Sequence, residues 1–441
     1  MTTIYSARWV LPISTAAIED GAVAVEGQRI AGIGPEAEIV AKFSSAKIES
    51  LGEAVILPGL VNTHMHLELT AMRGYLEKEE NDFFAWLRKL TIARLEHMTP
   101  DDIRVSATWG ACEAVRAGIT CVADASDSGL QSMLALQEVG LRGVVFQESF
   151  GPDARLAQEN VEKLKVKLAE LREHESELVR AGVSPHAPYT VCAPQLEMIA
   201  DLALSEGLTL MMHAAESEAE DLLLREGCGA FAEGFVRRSI EWKAPQMSTI
   251  QYLKQVGVLD TQPLLAHCIR VDDNDIETLR ETGSAVAHCP KSNAKLGHGR
   301  APFAKFIDAG VLVGLGSDSV ASNNTCDILE EARFATLLSR AAGAHVSAED
   351  ALRAATFGGG HLSEGERADL IAVRLTGVHQ TPGYDPVATL IFASSGRDVI
   401  LTVIAGREVY RDGRVTTVDE DRLRARMKEI RILIRKFCGL N

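Results

Sequence analysis

Two histidines stand two positions apart in Gly59-Leu60-Val61-Asn62-Thr63-His64-Met65-His66, directly after the apolar run Ala54-Val55-Ile56-Leu57-Pro58. Side chains at i and i+2 of a β-strand leave the same face, so His64 and His66 project together while Met65 points away. Paired imidazoles are a simple way for a strand to hold a divalent metal, although the same pair also occurs on ordinary surface strands. The metal reading therefore depends on further ligands. The chain offers His213, after Leu208-Thr209-Leu210-Met211-Met212, and Asp318, after Val311-Leu312-Val313-Gly314-Leu315-Gly316-Ser317. Alone, His213 reads as a buried structural histidine and Asp318 as a loop carboxylate. With His64 and His66 they complete the three or four protein ligands of a catalytic metal that keeps one position for water. Glu216 follows His213 by three residues, where a carboxylate can face that water and move protons, or simply favour a helix N-terminus. His267 fits better as a hydrogen-bonding partner of the activated water than as a fifth ligand.

These residues need elements that bring them together. From Gly59 onward, short apolar segments alternate with longer amphipathic stretches such as Asn160 to Glu173 and Asp272 to Thr282. Seven further strand candidates follow the first: 118–124, 142–148, 180–186, 208–213, 263–268, 284–289 and 311–318. Eight strands alternating with helices predict a (β/α)8 TIM barrel, an α/β fold. His64, His66, His186, His213, His267, His288 and Asp318 all fall at or just past strand C-terminal ends. Those ends form the catalytic face of such a barrel. His288 is read as structural. Gln147-Glu148 and His186 stand at the ends of the third and fourth strands, with no lysine to bridge a second metal, so one metal is expected.

Both ends of the chain look different from the middle. Trp9 to Pro12, Gly21 to Val25 and Arg29 to Gly34 alternate between glycine-rich turns, and Ala368 to Val373, Val399 to Gly406 and Glu408 to Tyr410 do the same. They predict one small flanking β-sandwich from residues 1–57 and 365–441, with residues 58–364 as the barrel. The Gly358-Gly359-Gly360 run lacks the Gly-Lys-Ser/Thr ending of a phosphate loop and reads as a helix stop. The net charge of −16 argues against nucleic-acid and anionic-membrane binding. No apolar run approaches the ~20 residues of a membrane span. Eight scattered cysteines without a Cys-x-x-Cys pair suggest a reduced, cytoplasmic setting.

In order along the chain, Pro58 to His66, Ser184-Pro185-His186-Ala187-Pro188-Tyr189-Thr190, His213-Ala214-Ala215-Glu216, Leu265 to Cys268, His288 to Asn293 and Gly316 to Asn324 resemble the amidohydrolase superfamily, in its mononuclear aminohydrolase branch. The resemblance implies zinc or iron on His64, His66, His213 and Asp318, with Glu216, His267 and Asp318 catalytic. It also implies a homodimer acting on a small purine nucleoside, releasing ammonia from C6, with His186 touching the purine. Glu68, Arg73 and Trp86 are further candidates for substrate contact, Arg73 being equally readable as a solvated loop cation and Trp86 as helix packing. The methylthioadenosine/S-adenosylhomocysteine type usually carries a Trp-Pro-x-Glu element that grips the ribose. Here Phe83 to Arg94 has no such glutamate. That segment, with His66 to Thr70, Gly229 to Glu233 and Pro245 to Leu253, is more similar to the aminodeoxyfutalosine deaminases of menaquinone synthesis. The expected substrate is therefore aminodeoxyfutalosine, with methylthioadenosine or S-adenosylhomocysteine as the alternative. Triazine chlorohydrolases and guanine or cytosine deaminases share the ligand set, and a metal-free scaffold is the reading from another class.

Overall fold

The structure is a computed structural model and describes residues 2–80, 82–357 and 360–437. Gly358 and Gly359 of the glycine run lie outside the described residues. Eight parallel strands make the barrel: β1 (Leu60–Met65), β2 (Ile119–Ser126), β3 (Arg142–Ser149), β4 (Val179–Pro185), β5 (Met211–Ala214), β6 (Leu264–His267), β7 (Ala285–His288) and β8 (Val313–Leu315). They pair in sequence order as two halves, β1 to β4 and β5 to β8. One seam closes where Val183 bridges Leu210 and the His213 amide donates to the His186 carbonyl at 2.9 Å. At the other seam the Asp318 amide donates to the His64 carbonyl at 2.9 Å. Gly316 permits this approach, because a Cβ there would sit 2.9 Å from the His64 Cβ and 3.0 Å from its amide nitrogen.

All eight expected barrel strands are present. The helices between them form where the apolar spacing is helical. Val161, Leu164, Leu168 and Leu171 bury one side of the Ala157–Glu173 helix while its charged side stays in water. The Asp273–Thr282 helix begins on a capping box, Asp272 accepting from the Asp275 amide and Asp275 accepting from the Asp272 amide, and stops at Gly283 in the left-handed region.

The two ends of the chain form one nine-stranded sheet. Its centre is Ala54–Pro58, parallel to Thr2–Val10 on one side and antiparallel to Leu370–Arg374 on the other. The N-terminal strand runs through Thr2–Val10 rather than starting at Trp9. Strand alternation divides the faces: Val55, Leu57, Ile371 and Val373 pack into the barrel core, whereas Ala54, Ile56, Leu370 and Ala372 pack within the flanking unit. The sheet curls back on itself, since Ile30 donates its amide to the Glu366 carbonyl and Ala368 donates to the Gln28 carbonyl. That curl brings Val25 and Ile30 into one core with Leu401 and Val403. The C-terminal helix Glu420–Phe437 packs on the barrel instead, where Ile430 and Ile434 share a cluster with Leu90 and Met98. Among the described residues, no helix is long and apolar enough to cross a membrane.

Candidate metal centre and active site

The barrel's C-terminal rim gathers four of the expected ligands. The ring nitrogens of His64, His66 and His213 lie within 4.8 Å of one another. Asp318 Oδ1 is 3.6 Å from both His64 Nε2 and His66 Nε2. His66 Nδ1 hydrogen-bonds the Ala125 carbonyl at 2.8 Å and His213 Nδ1 the His186 carbonyl at 2.8 Å. Both rings are therefore protonated on Nδ1, leaving the Nε2 lone pairs to face each other across 3.3 Å. Two such lone pairs repel unless a cation lies between them, and ligands of a tetrahedral zinc are separated by about 3.3 Å. His64 is fully buried and its Nε2 has no hydrogen-bond partner. Burial lowers its pKa to about 4, which keeps it a neutral donor. The four side chains thus fit a divalent ion.

Backbone conformation helps to aim them. Ala215, His267, Cys268 and Asp318 take positive φ values of 52°, 75°, 45° and 55°, so the chain turns sharply as it leaves β5, β6 and β8. Such residues carry strain that the surroundings must hold. Around Asp318, Oδ2 accepts from Ser292 Oγ at 2.5 Å and Ser322 Oγ at 2.9 Å, while Oδ1 accepts from the Ser319 amide. Burial disfavours this carboxylate, but the His64 ring and the other imidazoles hold its pKa well below the usual range. After β5, the buried Glu220 carboxylate accepts from the Ala215 and Glu216 amides at 2.8 and 3.0 Å and fixes the turn that carries Glu216.

Glu216 sits beside the ligand cluster. Tyr189 donates its hydroxyl to Glu216 Oε2 at 3.2 Å, and His267 Nε2 lies 3.6 Å from Oε1. His267 Nδ1 is fixed by Asn293 Oδ1 at 2.9 Å. A cavity of about 420 Å³ opens over these groups, lined also by Glu68, Trp86, Glu148 and His186. Phe83, Trp86, Leu87, Leu90 and Leu95, all from the Phe83–His97 helix, give it an apolar wall.

His186 meets the cavity next to His213, with its Nδ1 hydrogen-bonded to Thr190 Oγ1 at 2.8 Å. Trp86 is a buried part of the wall. Glu68 lines the cavity, but its carboxylate is engaged by Arg94 Nη1 at 2.5 Å, Ser126 Oγ at 2.9 Å and the Ser128 amide at 3.0 Å. Arg73 does not line this cavity: its guanidinium bonds Glu113 and the Asn324 carbonyl and lines a separate cavity with Trp109 and Tyr410. Arg73 follows directly on the Leu67–Met72 helical turn, and its ion pair with Glu113 holds the cation in that separate cavity. His288 is buried against Phe303, ring centroids 5.1 Å apart.

Sequence reasoning missed His298, whose Nε2 lies 3.8 Å from Glu216 Oε1 and has no hydrogen-bond partner. It stands in a loop between Gly297 and Gly299, off any strand, and its only sequence signal is that glycine flanking. Arg94 and Glu148 also line the cavity, and nothing in their spacing marks them for it.

The architecture and these residues can be set against known proteins. The model of the amidohydrolase family matches residues 55–409. The chain is similar to the 5-methylthioadenosine/S-adenosylhomocysteine deaminase of Pelotomaculum thermopropionicum, 32% identical with 92% of each chain covered. It is 33% identical to the enzyme of the same name from Haloarcula marismortui, with 86% of each covered. Among solved structures, an adenosine deaminase from Xanthomonas campestris with bound zinc aligns at a TM-score of 0.87 and 26% identity, covering 98% of both chains. A zinc-bound atrazine chlorohydrolase from Arthrobacter aurescens aligns at 0.82 and 24% identity over 97% of this chain and 99% of its own, a likeness of fold alone. Family match, full-length relatives and a histidine-rich metal site on the barrel rim agree, and the chain belongs to the amidohydrolase family as one of its hydrolases.

Proposed function

We propose that this protein is a metal-dependent hydrolytic deaminase that removes the 6-amino group of an adenine nucleoside. The observation that carries the reading is the Glu216 carboxylate, held by Tyr189 and flanked by His267 beside a four-residue metal site, at the floor of a cavity with an aromatic wall. Full-length relatives named as deaminases of methylthioadenosine and S-adenosylhomocysteine support the same chemistry.

His64, His66, His213 and Asp318 would hold a divalent ion, which would supply Lewis acidity to activate a water. Glu216 accepts the proton of the attacking water and passes it to ring nitrogen N1 as the oxygen bonds C6. Glu216 then takes the second proton of that water, from the hydroxyl now on C6, and delivers it to the exocyclic amine, which leaves as ammonia as the C6 carbonyl forms. Zinc nucleobase deaminases of another fold use a non-ligand glutamate in this way. His267, fixed by Asn293, and Asp318 orient the water toward the ring carbon. His186 and Trp86 line the space where the purine and its sugar would lie.

The apolar wall favours a nucleoside with an apolar or aromatic substituent, which methylthioadenosine and aminodeoxyfutalosine have and adenosine lacks. The sequence of the Phe83–His97 helix favours aminodeoxyfutalosine, and the relatives' names favour methylthioadenosine or S-adenosylhomocysteine. Ammonia release from these four nucleosides and from guanine, by metal-replete protein, tests the reading. Preference for aminodeoxyfutalosine would put the enzyme in menaquinone synthesis; preference for methylthioadenosine or S-adenosylhomocysteine keeps the mechanism and discards that pathway. No ammonia from any adenine nucleoside, with metal bound, overturns the proposal.

A further inference from the structure

Besides Glu216 and Asp318, three carboxylates line the cavity, Glu68 after β1, Asp127 after β2 and Glu148 at the end of β3, and the first two are fully engaged. Glu68 is satisfied by Arg94, Ser126 and Ser128. Asp127 accepts from Arg94 Nη2 at 3.1 Å and from Lys167 Nζ at 2.8 Å. Glu148, at the end of β3, is different. It is 5% exposed, lines the cavity beside His186 and His213, and its Oε1 is buried with no hydrogen-bond partner among the described residues. Leaving such an oxygen unsatisfied is costly, and in native proteins it usually marks a place where a ligand or water completes the bonding. Arg94 lines the same cavity, and its Nε is likewise buried without a partner.

A free acceptor and a free donor on one wall suit a group that both donates and accepts, which is an alcohol. A heterocycle held over Glu216 and His186 would carry its sugar along that wall. We propose that Glu148, together with Arg94 Nε, receives a hydroxyl of the substrate's ribose and so selects ribonucleosides over deoxy analogues and the free base. The assignment rests on the adenine-nucleoside reading above. The alternative use of the same atoms is a second metal on Glu148, His186 and His213, and it competes with the first site for His213.

The test uses the metal-loaded full chain, the best nucleoside of the panel, its 2′-deoxy and 3′-deoxy analogues, and free adenine. Wild type should lose about tenfold to hundredfold in kcat/KM on one of the deoxy analogues, the cost of leaving the wall unpaired. Glu148→Met, which keeps the volume and removes the acceptor, should show a similar loss on the ribonucleoside, mainly in KM. On the deoxy analogue it should stay within about threefold of wild type, because the interaction is already absent. Glu148→Gln keeps an acceptor oxygen and should retain much of the discrimination; it carries the same ratio test if the methionine variant does not fold. Equal losses on all substrates, no discrimination by wild type, or a second zinc equivalent that Glu148→Met abolishes would each overturn the proposal. Those failures leave nucleoside deamination intact, whereas absence of turnover on every nucleoside removes the functional reading and this inference with it.

Discussion

His267 Nε2 lies 3.6 Å from Glu216 Oε1, although β6 and the turn after β5 bring the two residues from 51 positions apart. An imidazole and a carboxylate so placed can share one water between them. Glu216 is not among the four groups that fit the metal, so its removal should separate chemistry from metal binding. Glu216→Gln should keep a full equivalent of metal and lose about 10²–10⁴-fold in kcat, the usual worth of a positioned acid–base group. Metal analysis beside steady-state kinetics checks this, and a near wild-type rate would remove Glu216 from its assigned role.

Asn293 Oδ1 holds His267 Nδ1 at 2.9 Å and so fixes the orientation of that ring. Asn293→Ala should free the ring to rotate and lower kcat about 10- to 100-fold with little change in KM, as for other residues that orient a site histidine. Asn293→Asp keeps an acceptor and should recover part of the rate. A rise in KM with kcat untouched would mean that Asn293 serves substrate binding instead.

The barrel and the side chains that cluster on its rim were legible because they obey local rules. Strand alternation puts His64 and His66 on one face, and a barrel puts every strand end on one rim, so His213, His267 and Asp318 follow from their positions after apolar runs. Arg73 was not legible in the same way. Its direction is set by Glu113, 40 residues on, and by a carbonyl at Asn324, and no local pattern encodes either. The roles of Arg94 and Glu148 depend likewise on which neighbours leave their atoms unpaired, a property of packing rather than of spacing. His298 reaches Glu216 from a loop, where periodicity carries no information.

Glu68 and Arg94 form a buried ion pair in which Arg94 Nη1 meets Glu68 Oε1 at 2.5 Å. Burial disfavours the Glu68 charge, but Arg94 overcomes it and the carboxyl stays below its ordinary pKa. Removing Glu68 leaves Arg94 paired with Asp127 through Nη2 at 3.1 Å, so the cost stays below the about 3–5 kcal/mol of stranding a buried charge. Glu68→Ala should lower the urea midpoint with metal still bound. A midpoint within error of wild type would show that the pair is replaced by water.

Metal should stabilise the fold as well as the reaction, since a ligand that binds only the native state raises stability by RT ln(1 + [L]/Kd). Free metal at about 100 times Kd contributes about 2.7 kcal/mol. Chelation should thus lower Tm by several degrees, and zinc should restore it in proportion to the logarithm of its concentration. His64→Asn, which removes one nitrogen donor from the cluster, should lower Tm and abolish that response. A variant still responding like wild type would place the ion elsewhere.

Glu331 gives a pH dependence separate from the ligands. It is fully buried and accepts from Asn323 Nδ2 at 2.7 Å and the Lys291 amide at 3.2 Å; burial pushes its pKa up to about 8, with Lys291 opposing. In the unfolded chain the same carboxyl titrates near ~4.3. Between these values the native state keeps a proton that the unfolded state has lost, so stability must fall as pH rises toward 8, by at most about 1.4 kcal/mol per pH unit. Asp124, raised to about 8, and Glu220, raised to about 7, act in the same direction, so the wild-type curve alone does not isolate Glu331. The difference between wild type and Glu331→Gln does. Urea unfolding at pH 6 and pH 8 should show the variant losing less stability across the interval, and an identical loss in both proteins would mean that Glu331 is already ionised in the native state at pH 6.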